Sequence, residues 1–338
     1  MRLHHRGRQL LVVTFLFSSL TPVLNVAAQQ DSAATTLKPV IVTVTRGSGR
    51  TILGSPFAIS IIQPDSSRPG QKHTSLDETV SLIPGVTSVN RSNPSQDPRL
   101  SIRGFGARST FGVRGIRVLR DGIPVTLPDG QTPLDYVSLE SVGRVEVLRG
   151  AASALYGNAS GGVVDLRSRT PALTPLSAEA RQWLGSSSFS RSVLSASGTS
   201  GPADYLGDIS YTQSDGARRH STQRATTGFA RGDLRFKGTD YSISAMGLNN
   251  PLAENPGALT NEEMKADREM ADALSVRRNA RKAVKQVLLA LTANRQMPNA
   301  ELALSAYGGA RSLDNPLTFA IVEIGRHTWG GSGSLHMR

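Results

Sequence analysis

Several residue types and patterns are absent or scarce in the 338-residue chain, and each absence excludes a class of protein. There is no cysteine, which excludes a disulfide framework and any thiolate metal site. The six histidines are scattered, and we predict no metal site. After residue 28 no apolar run approaches the ~18 residues that a membrane-spanning helix requires. The mature protein is therefore predicted to be soluble or to cross a membrane as strands.

Lysine is also scarce, because 32 of the 38 basic residues are arginine. The formal net charge of +12 would suit a nucleic-acid-binding protein. The basic residues are spread along the chain, however, with no basic helix and no aromatic stacking platform. We therefore predict no nucleic-acid partner.

The first 28 residues have the pattern of an export signal. Basic residues, among them Arg2 and Arg8, precede an apolar stretch from Leu10 to Leu20, and small residues end the segment at Ala28. The alternative is a membrane anchor, but the apolar stretch is too short to span a bilayer as a helix. Cleavage after Ala28 would make Gln29 the new N-terminus.

Residues 29–54 are predicted to form an extended leader. The run Pro39–Thr45 is rich in β-branched residues, is opened by a proline, and is followed by glycines that isolate it from the rest of the chain. It could be an ordinary first strand. Alternatively, it is a free strand that pairs with another protein by β-augmentation.

Residues 55–170 have the pattern of a compact α+β domain with dense turn signals. Helices are predicted at Leu76–Leu82 and Ser153–Tyr156. Strands are predicted at Ala58–Ile62, Val86–Asn90, Leu100–Arg103, Val118–Arg120, Arg144–Arg149 and Gly162–Ser168.

Residues 171–338 change to segments of about ten residues that alternate in polarity, a pattern typical of outer-membrane barrel strands. In Tyr205–Thr212, for example, Tyr205 and Ile209 share one face while Asp208 shares the other with polar residues. Short links at 199–203, 237–239 and 295–298 alternate with long links at 214–224, 249–280 and 311–327. A charged helix is predicted within the second long link, at Asn261–Leu274.

The chain resembles the TonB-dependent transporters across nearly its whole mature length, and the specific part of the resemblance lies in the plug region. Several motifs of that family occur here in the family's order, so the match is stronger than any one motif alone. They are L-D-E-T-V from Leu76 followed by L-I-P-G-V from Leu82, S-I-R-G-F-G from Ser101, L-R-D-G-I-P-V from Leu119, V-E-V-L-R-G from Val145, A-L-Y-G-N from Ala154 and G-G-V-V from Gly161.

This resemblance implies an α+β plug followed by antiparallel transmembrane β-strands of a barrel that normally has 22 strands. It implies an outer-membrane protein in contact with lipid, with no catalytic residues, no cofactor and no bond-making chemistry. Substrate would bind from outside, and TonB would pull on an extended box from the periplasm. The residues that resemble this TonB box are Pro39, Val40, Ile41, Val42, Thr43, Val44 and Thr45.

Two outward loops resemble those of a subgroup that includes ferric-chelate receptors and a receptor for pyrroloquinoline quinone. They predict a scarce, anionic small-molecule ligand, either an iron chelate or a quinone cofactor, although the loops could instead be solvated and flexible. The predicted ligand-binding residues are Arg108, Phe111, Arg114, Arg117, Asp129 and Gln131.

The resemblance also predicts a latch in which Arg103, Glu146 and Arg149 pair with charges of the barrel wall. The alternative is a fixed salt bridge inside the plug, since buried ion pairs specify geometry more dependably than they add stability.

The chain departs from the family in length. The 168 residues after Thr170 suffice for about eight strands. We expect a truncated barrel, from a truncated gene or a fragment of a longer chain. Two other functions stay open: a nonfunctional or regulatory remnant of a receptor, and a periplasmic binding module made of the plug alone.

Overall fold

The computed structural model of the protein describes residues 41–44, 50–64, 72–89, 93–109 and 112–337. The predicted export signal lies outside these residues, as do Pro39, Val40, Thr45 and Phe111. The described residues form a small α+β domain, called the plug below, and an eight-stranded antiparallel sheet, called the wall sheet. This confirms the fold class predicted from the sequence.

The plug contains three small sheets and two short helices among its described residues. The helices are α1 (Asp77–Val80) and α2 (Ser153–Tyr156). Two-stranded sheets pair β1 (Ile41–Val42) with β2 (Arg50–Thr51), and β4 (Val86–Val89) with β5 (Arg99–Ile102). The main sheet contains β3 (Ala58–Ile62), β6 (Ile116–Arg120), β7 (Ile123–Pro124), β8 (Val142–Arg149) and β9 (Gly162–Ser168), in the spatial order β3-β8-β9-β6-β7.

Strands β8 and β9 lie at the centre of the main sheet and carry its core. Val145, Val147, Val163 and Val164 are fully buried. A strand that is covered on both faces is expected to be apolar at nearly every position rather than at alternate ones. Strand β6 runs parallel to β9, whereas the other neighbours in this sheet are antiparallel.

Two buried carboxylates interrupt this apolar centre. Glu146 and Asp165 are paired in register across β8 and β9, and neither is exposed. Each has an arginine of its own strand at 2.7 Å, Arg144 for Glu146 and Arg167 for Asp165. Burial nevertheless raises the pKa of Asp165, and Arg167 opposes that rise only in part. The pairing matters because an unpaired buried charge costs several kcal/mol.

The wall sheet has eight strands, each hydrogen-bonded to the next in chain order. They are β10 (Ser177–Leu184), β11 (Ser190–Ser200), β12 (Ala203–Ser214), β13 (Gln223–Phe236), β14 (Thr239–Glu254), β15 (Arg281–Met297), β16 (Ala300–Pro316) and β17 (Ile321–Met337).

The polarity of the wall sheet is the reverse of that of a water-soluble sheet. Along β12, Ile209 is 54% exposed on the outer face, whereas Ser210 is 1% exposed and faces the plug. Ile243, Leu289 and Leu291 are likewise more than half exposed. Apolar side chains on the outside and polar side chains on the inside are typical of strands whose outer face contacts lipid.

The links between wall strands alternate in length. Two-residue links at 201–202, 237–238 and 298–299 share one end of the sheet, and the links at 185–189, 215–222, 255–280 and 317–320 share the other, called the long-link end below. The prediction of a long link at 311–327 is wrong. Residues 311–316 still pair with β17, and Arg311 and Asn315 line a cavity beside the plug, so their polarity does not indicate a loop.

The predicted helix at Asn261–Leu274 is also wrong in extent. Two helices occur instead, α3 (Asn261–Ala266) and α4 (Ala273–Arg277). The first ends where Asp267 takes extended backbone angles, with its carboxylate 2.7 Å from the guanidinium of Arg219. Across residues 41–337, apart from the undescribed gaps, no helix is long and apolar enough to cross a membrane.

Candidate functional site

Residues 41–44 are docked on the plug. Val42 and Val44 are fully buried. The backbone N–H groups of Thr43 and Val44 donate hydrogen bonds to one carboxylate oxygen of Glu146, at 2.9 and 3.0 Å, and the Tyr156 hydroxyl donates to the Val44 carbonyl oxygen at 2.9 Å. The expectation of a free strand is therefore wrong for these four residues. The buried carboxylate supplies an acceptor for N–H groups that a free strand would leave to water.

The three residues predicted to form a latch make their contacts within the plug. Glu146 pairs with Arg144, and Arg149 donates to the Pro84 carbonyl oxygen at 3.0 Å. Arg103 is exposed, and its backbone N–H, at a φ of 49°, donates to a carbonyl oxygen of the same domain. This geometry corresponds to the alternative of fixed contacts inside the plug.

Other ion pairs, which the sequence did not predict, connect the plug to the wall sheet, and the first is centred on Glu140. Its carboxylate, fully buried, lies 3.0 Å from Arg191 and 3.4 Å from Arg181 of the wall. His73 of the plug approaches it at 3.7 Å. Burial opposes ionisation of Glu140, but His73 and Arg191 outweigh it and hold the pKa of this carboxyl below its ordinary value.

The second ion-pair cluster is called the Lys282 cluster below. The Lys282 ammonium on β15 lies 2.8 Å from a carboxylate oxygen of Asp97 and 3.3 Å from one of Asp135, so it joins two separate plug segments. Arg311 on β16 donates to both oxygens of Asp135 at 3.3 Å. Burial opposes ionisation of Asp135, yet the two cations lower its pKa to about 2.

Two further contacts repeat the same pattern of plug carboxylate and wall cation. Arg231 on β13 lies 3.1 Å from Asp121, and Arg326 on β17 lies 2.8 Å from Asp129. Burial opposes ionisation of Asp121, but Arg120 and Arg231 lower its pKa. The alternation of the strands indicates which wall cations face inward, and this was the available signal. It does not indicate which carboxylate each cation meets.

Acid is expected to weaken plug docking through Asp135. Because its folded-state pKa of about 2 lies below the ordinary value of about 3.9, its pairing stabilises the docked plug above that ordinary value. This contribution is lost as the pH falls from about 4 towards 2. Protease protection of the plug, measured from about pH 5 to about pH 2, should fall less steeply in Asp135→Asn than in the wild type. Equal slopes would contradict the assignment. Asp121 and Glu140 are present in both proteins, so their contributions to the pH dependence cancel in the comparison.

Two cavities lie between the plug and the long-link end of the wall sheet. The larger has a volume of about 850 Å³, and its walls include Phe189, Arg191 and Arg218. The smaller has a volume of about 670 Å³, and its walls include Lys282 and Arg311. Both volumes fall in the range of about 300–1,000 Å³ that is typical of small-molecule sites.

Arg218 fixes the link that separates these cavities. Its guanidinium donates to the carbonyl oxygens of Pro256, Gly257 and Met270, at 3.1, 2.7 and 2.8 Å. Pro256 lines the larger cavity and Gly257 lines the smaller one. The 255–280 link is therefore held in one position at the cavity mouths by a side chain of the neighbouring link.

The predicted ligand-binding residues are only partly brought together. Gln131 lines the smaller cavity. Arg114 donates to the Asp129 carbonyl oxygen at 2.9 Å, while the Asp129 carboxylate is held by Arg326. Arg108 is exposed and Arg117 is half-buried on β6, and neither lines the two cavities described here. Phe111 lies outside the described residues, and its role stays a prediction.

The sequence of this chain matches one protein-family model and several receptors of known name. The sequence model of the TonB-dependent Receptor Plug Domain matches residues 51–163. The ferric enterobactin receptor PirA of Pseudomonas aeruginosa is 29% identical over 186 residues, which cover 49% of this chain and 24% of PirA. The ferrioxamine B receptor of Salmonella typhimurium is 35% identical over 141 residues, which cover 39% of this chain and 19% of the receptor.

Solved structures share the fold. The unliganded ferric citrate transporter FecA superposes with a TM-score of 0.61 at 22% identity, over 81% of this chain and 43% of FecA. The siderophore receptor PiuA from Acinetobacter baumannii gives a TM-score of 0.64 at 14% identity, over 85% of this chain and 43% of PiuA. The chain thus spans less than half the length of these proteins and about a quarter or less of the curated receptors. Residues 51–163 therefore belong to the TonB-dependent receptor plug-domain family, and the chain is similar to TonB-dependent receptors in sequence and in fold.

Proposed function

We propose that this chain acts in TonB-dependent uptake of a ferric chelate across the outer membrane. The observation that carries the proposal is the plug, matched by its family model, seated against a wall sheet whose outer face is apolar. The relatives support the iron-chelate class, since PirA and the ferrioxamine B receptor are named for ferric siderophores. None of the relatives described above is named for a quinone, so the quinone alternative has no such support.

The apolar outer face of the wall sheet supports a location in the outer membrane. Ile243 and Leu291, both more than half exposed, would contact lipid there. The predicted export signal at residues 1–28 would direct the chain to that membrane. The plug at residues 55–170 would separate the periplasm from the long-link end, where both cavities lie.

TonB is the proposed energising partner, and residues 39–45 are its proposed binding segment. In the docked arrangement the N–H groups of Thr43 and Val44 are held by Glu146 and are not free to pair with another strand. This arrangement corresponds to a resting receptor, and capture by TonB requires the segment to leave the plug. The ligand contacts and the domain limits that the sequence predicts are also part of this proposal.

Uptake of radioactive iron by the source organism tests the proposal. Deleting the gene should reduce uptake of at least one ferric chelate. In cells that carry the gene, collapsing the inner-membrane proton gradient should abolish the gene-dependent part of that uptake. Reintroducing the gene should restore uptake. Unchanged uptake of every ferric chelate after deletion would contradict the proposal.

A further inference from the structure

The smaller cavity has walls whose charges cancel. Four cations and two carboxylates line it, and two further carboxylates pair with those cations. The formal net charge of these eight groups is zero. The cations are Arg99, Lys282, Arg311 and Arg326. The two carboxylates that line the cavity are Asp97 and Asp272, and the two that pair with its cations from behind are Asp129 and Asp135.

Most of these cations are already engaged. Lys282 lies between Asp97 at 2.8 Å and Asp135 at 3.3 Å, Arg311 is held by Asp135, and Arg326 is held by a plug carboxylate as described above. A multiply charged anion in this cavity would have to displace the plug carboxylates or lie beside them. Both arrangements are unfavourable, because like charges at short range repel in a partly buried site.

Neutral amides, in contrast, are available to a ligand. Gln96, Gln131 and Asn315 line the same cavity, and their side-chain amides have no hydrogen-bond partner among the described residues. Apolar side chains, among them Leu313 and Phe319, complete the lining of the cavity. Such a surface suits a ligand that presents carbonyl and N–H groups on apolar arms.

We infer that the smaller cavity binds a ferric chelate of low net charge, of the tris-hydroxamate type, through these neutral amides. Three hydroxamates balance the charge of ferric iron, whereas three catecholates leave the complex with three negative charges. The inference rests on the proposed function and deepens it. It also replaces the sequence-based expectation of an anionic ligand, which depended on Arg108, Arg114 and Arg117.

Titration calorimetry on the purified full chain in detergent micelles tests this inference with two probes. These are the neutral ferric complex of N-acetylated desferrioxamine B and the ferric complex of enterobactin. The neutral complex should bind more tightly by roughly tenfold or more, the effect of one uncompensated charge near a protein surface. Equal or tighter binding of the enterobactin complex would overturn the inference and leave the proposed function standing. Binding of neither complex would count against the proposed function itself.

Two charge variants sharpen the test. Asp97→Asn leaves the Lys282 charge partly uncompensated, and it should strengthen binding of the enterobactin complex by roughly tenfold while leaving the neutral complex nearly unchanged. Asp240→Asn, which removes the same charge beside the 237–238 link, should change neither affinity. Should Asp97→Asn fold poorly, Gln131→Glu serves instead, since the added charge should weaken the anionic complex more than the neutral one, which loses only one amide contact. An anion affinity that is insensitive to both cavity variants would overturn the inference.

Discussion

Replacing Lys282 with methionine is expected to lower the free energy of unfolding of the docked plug by about 3–5 kcal/mol, the usual cost of removing one partner of a buried ion pair. Lys282 is 3% exposed and joins Asp97 and Asp135 to the wall sheet. Without the ammonium, Asp135 keeps Arg311, but Asp97 loses the cation that the structure places beside it. Urea titration in detergent, with protease protection of the plug as the signal, measures the loss.

Two further variants separate the ion pair from a general effect of mutation. The double variant Asp97→Asn/Lys282→Met removes the uncompensated carboxylate and leaves the Asp135–Arg311 pair in place, so it should recover most of the lost stability. Lys237→Met, in a two-residue link, should change stability by less than about 0.5 kcal/mol. A Lys282→Met protein as stable as Lys237→Met would show that the Lys282 cluster does not hold the plug.

Replacing Glu146 with alanine is expected to release residues 41–44 from the plug. The carboxylate accepts both N–H groups of Thr43 and Val44, and hydrogen bonds to charged groups contribute about 1.5–3 kcal/mol each. Because the chain has no cysteine, Val44→Cys provides a single buried thiol that reacts with a maleimide only when the segment undocks. In the Glu146→Ala background the labelling rate should rise about a hundredfold or more.

A graded series checks that the carboxylate causes this effect. Glu146→Gln keeps an oxygen acceptor and should give a smaller increase than alanine. Tyr156→Phe removes only the hydroxyl that donates to the Val44 carbonyl oxygen, so it should raise labelling about fivefold to tenfold. Protease protection of the plug core, measured in all three variants, separates undocking of the segment from a loss of plug stability, because both Glu146 variants also leave Arg144 without its buried partner. Equal labelling rates in the wild-type and Glu146→Ala backgrounds would contradict the docked arrangement.

Local pattern predicted the elements of the plug well. Strands Ala58–Ile62 and Gly162–Ser168 and the helix Ser153–Tyr156 have the predicted bounds, because runs of β-branched residues and adjacent turn signals specify them locally. The alternating polarity of Tyr205–Thr212 likewise predicted a wall strand and its two faces, and the strand observed there spans Ala203–Ser214.

The contacts between distant segments could not be predicted in this way. Asp97 and Lys282 are 185 positions apart, and their pairing depends on how the plug sits against the wall sheet. For the same reason the sequence leaves open whether Glu146 pairs with the barrel wall or within the plug, and it does not predict that the carboxylate accepts hydrogen bonds from residues 43 and 44. The sequence predicts a link at residues 311–316 because Arg311 and Asn315, which line the smaller cavity, resemble the polar residues of a solvated link.

The measurement that tests the account most directly compares uptake and binding in Val42→Pro, expressed from the native chromosomal position. Val42 lies in β1, and proline there removes a backbone N–H that strand pairing requires. We predict that uptake of radioactive ferric chelate falls to the level of the gene deletion while binding of the chelate to the cells is unchanged. Wild-type uptake by Val42→Pro would contradict the assignment of this segment as the TonB-binding strand.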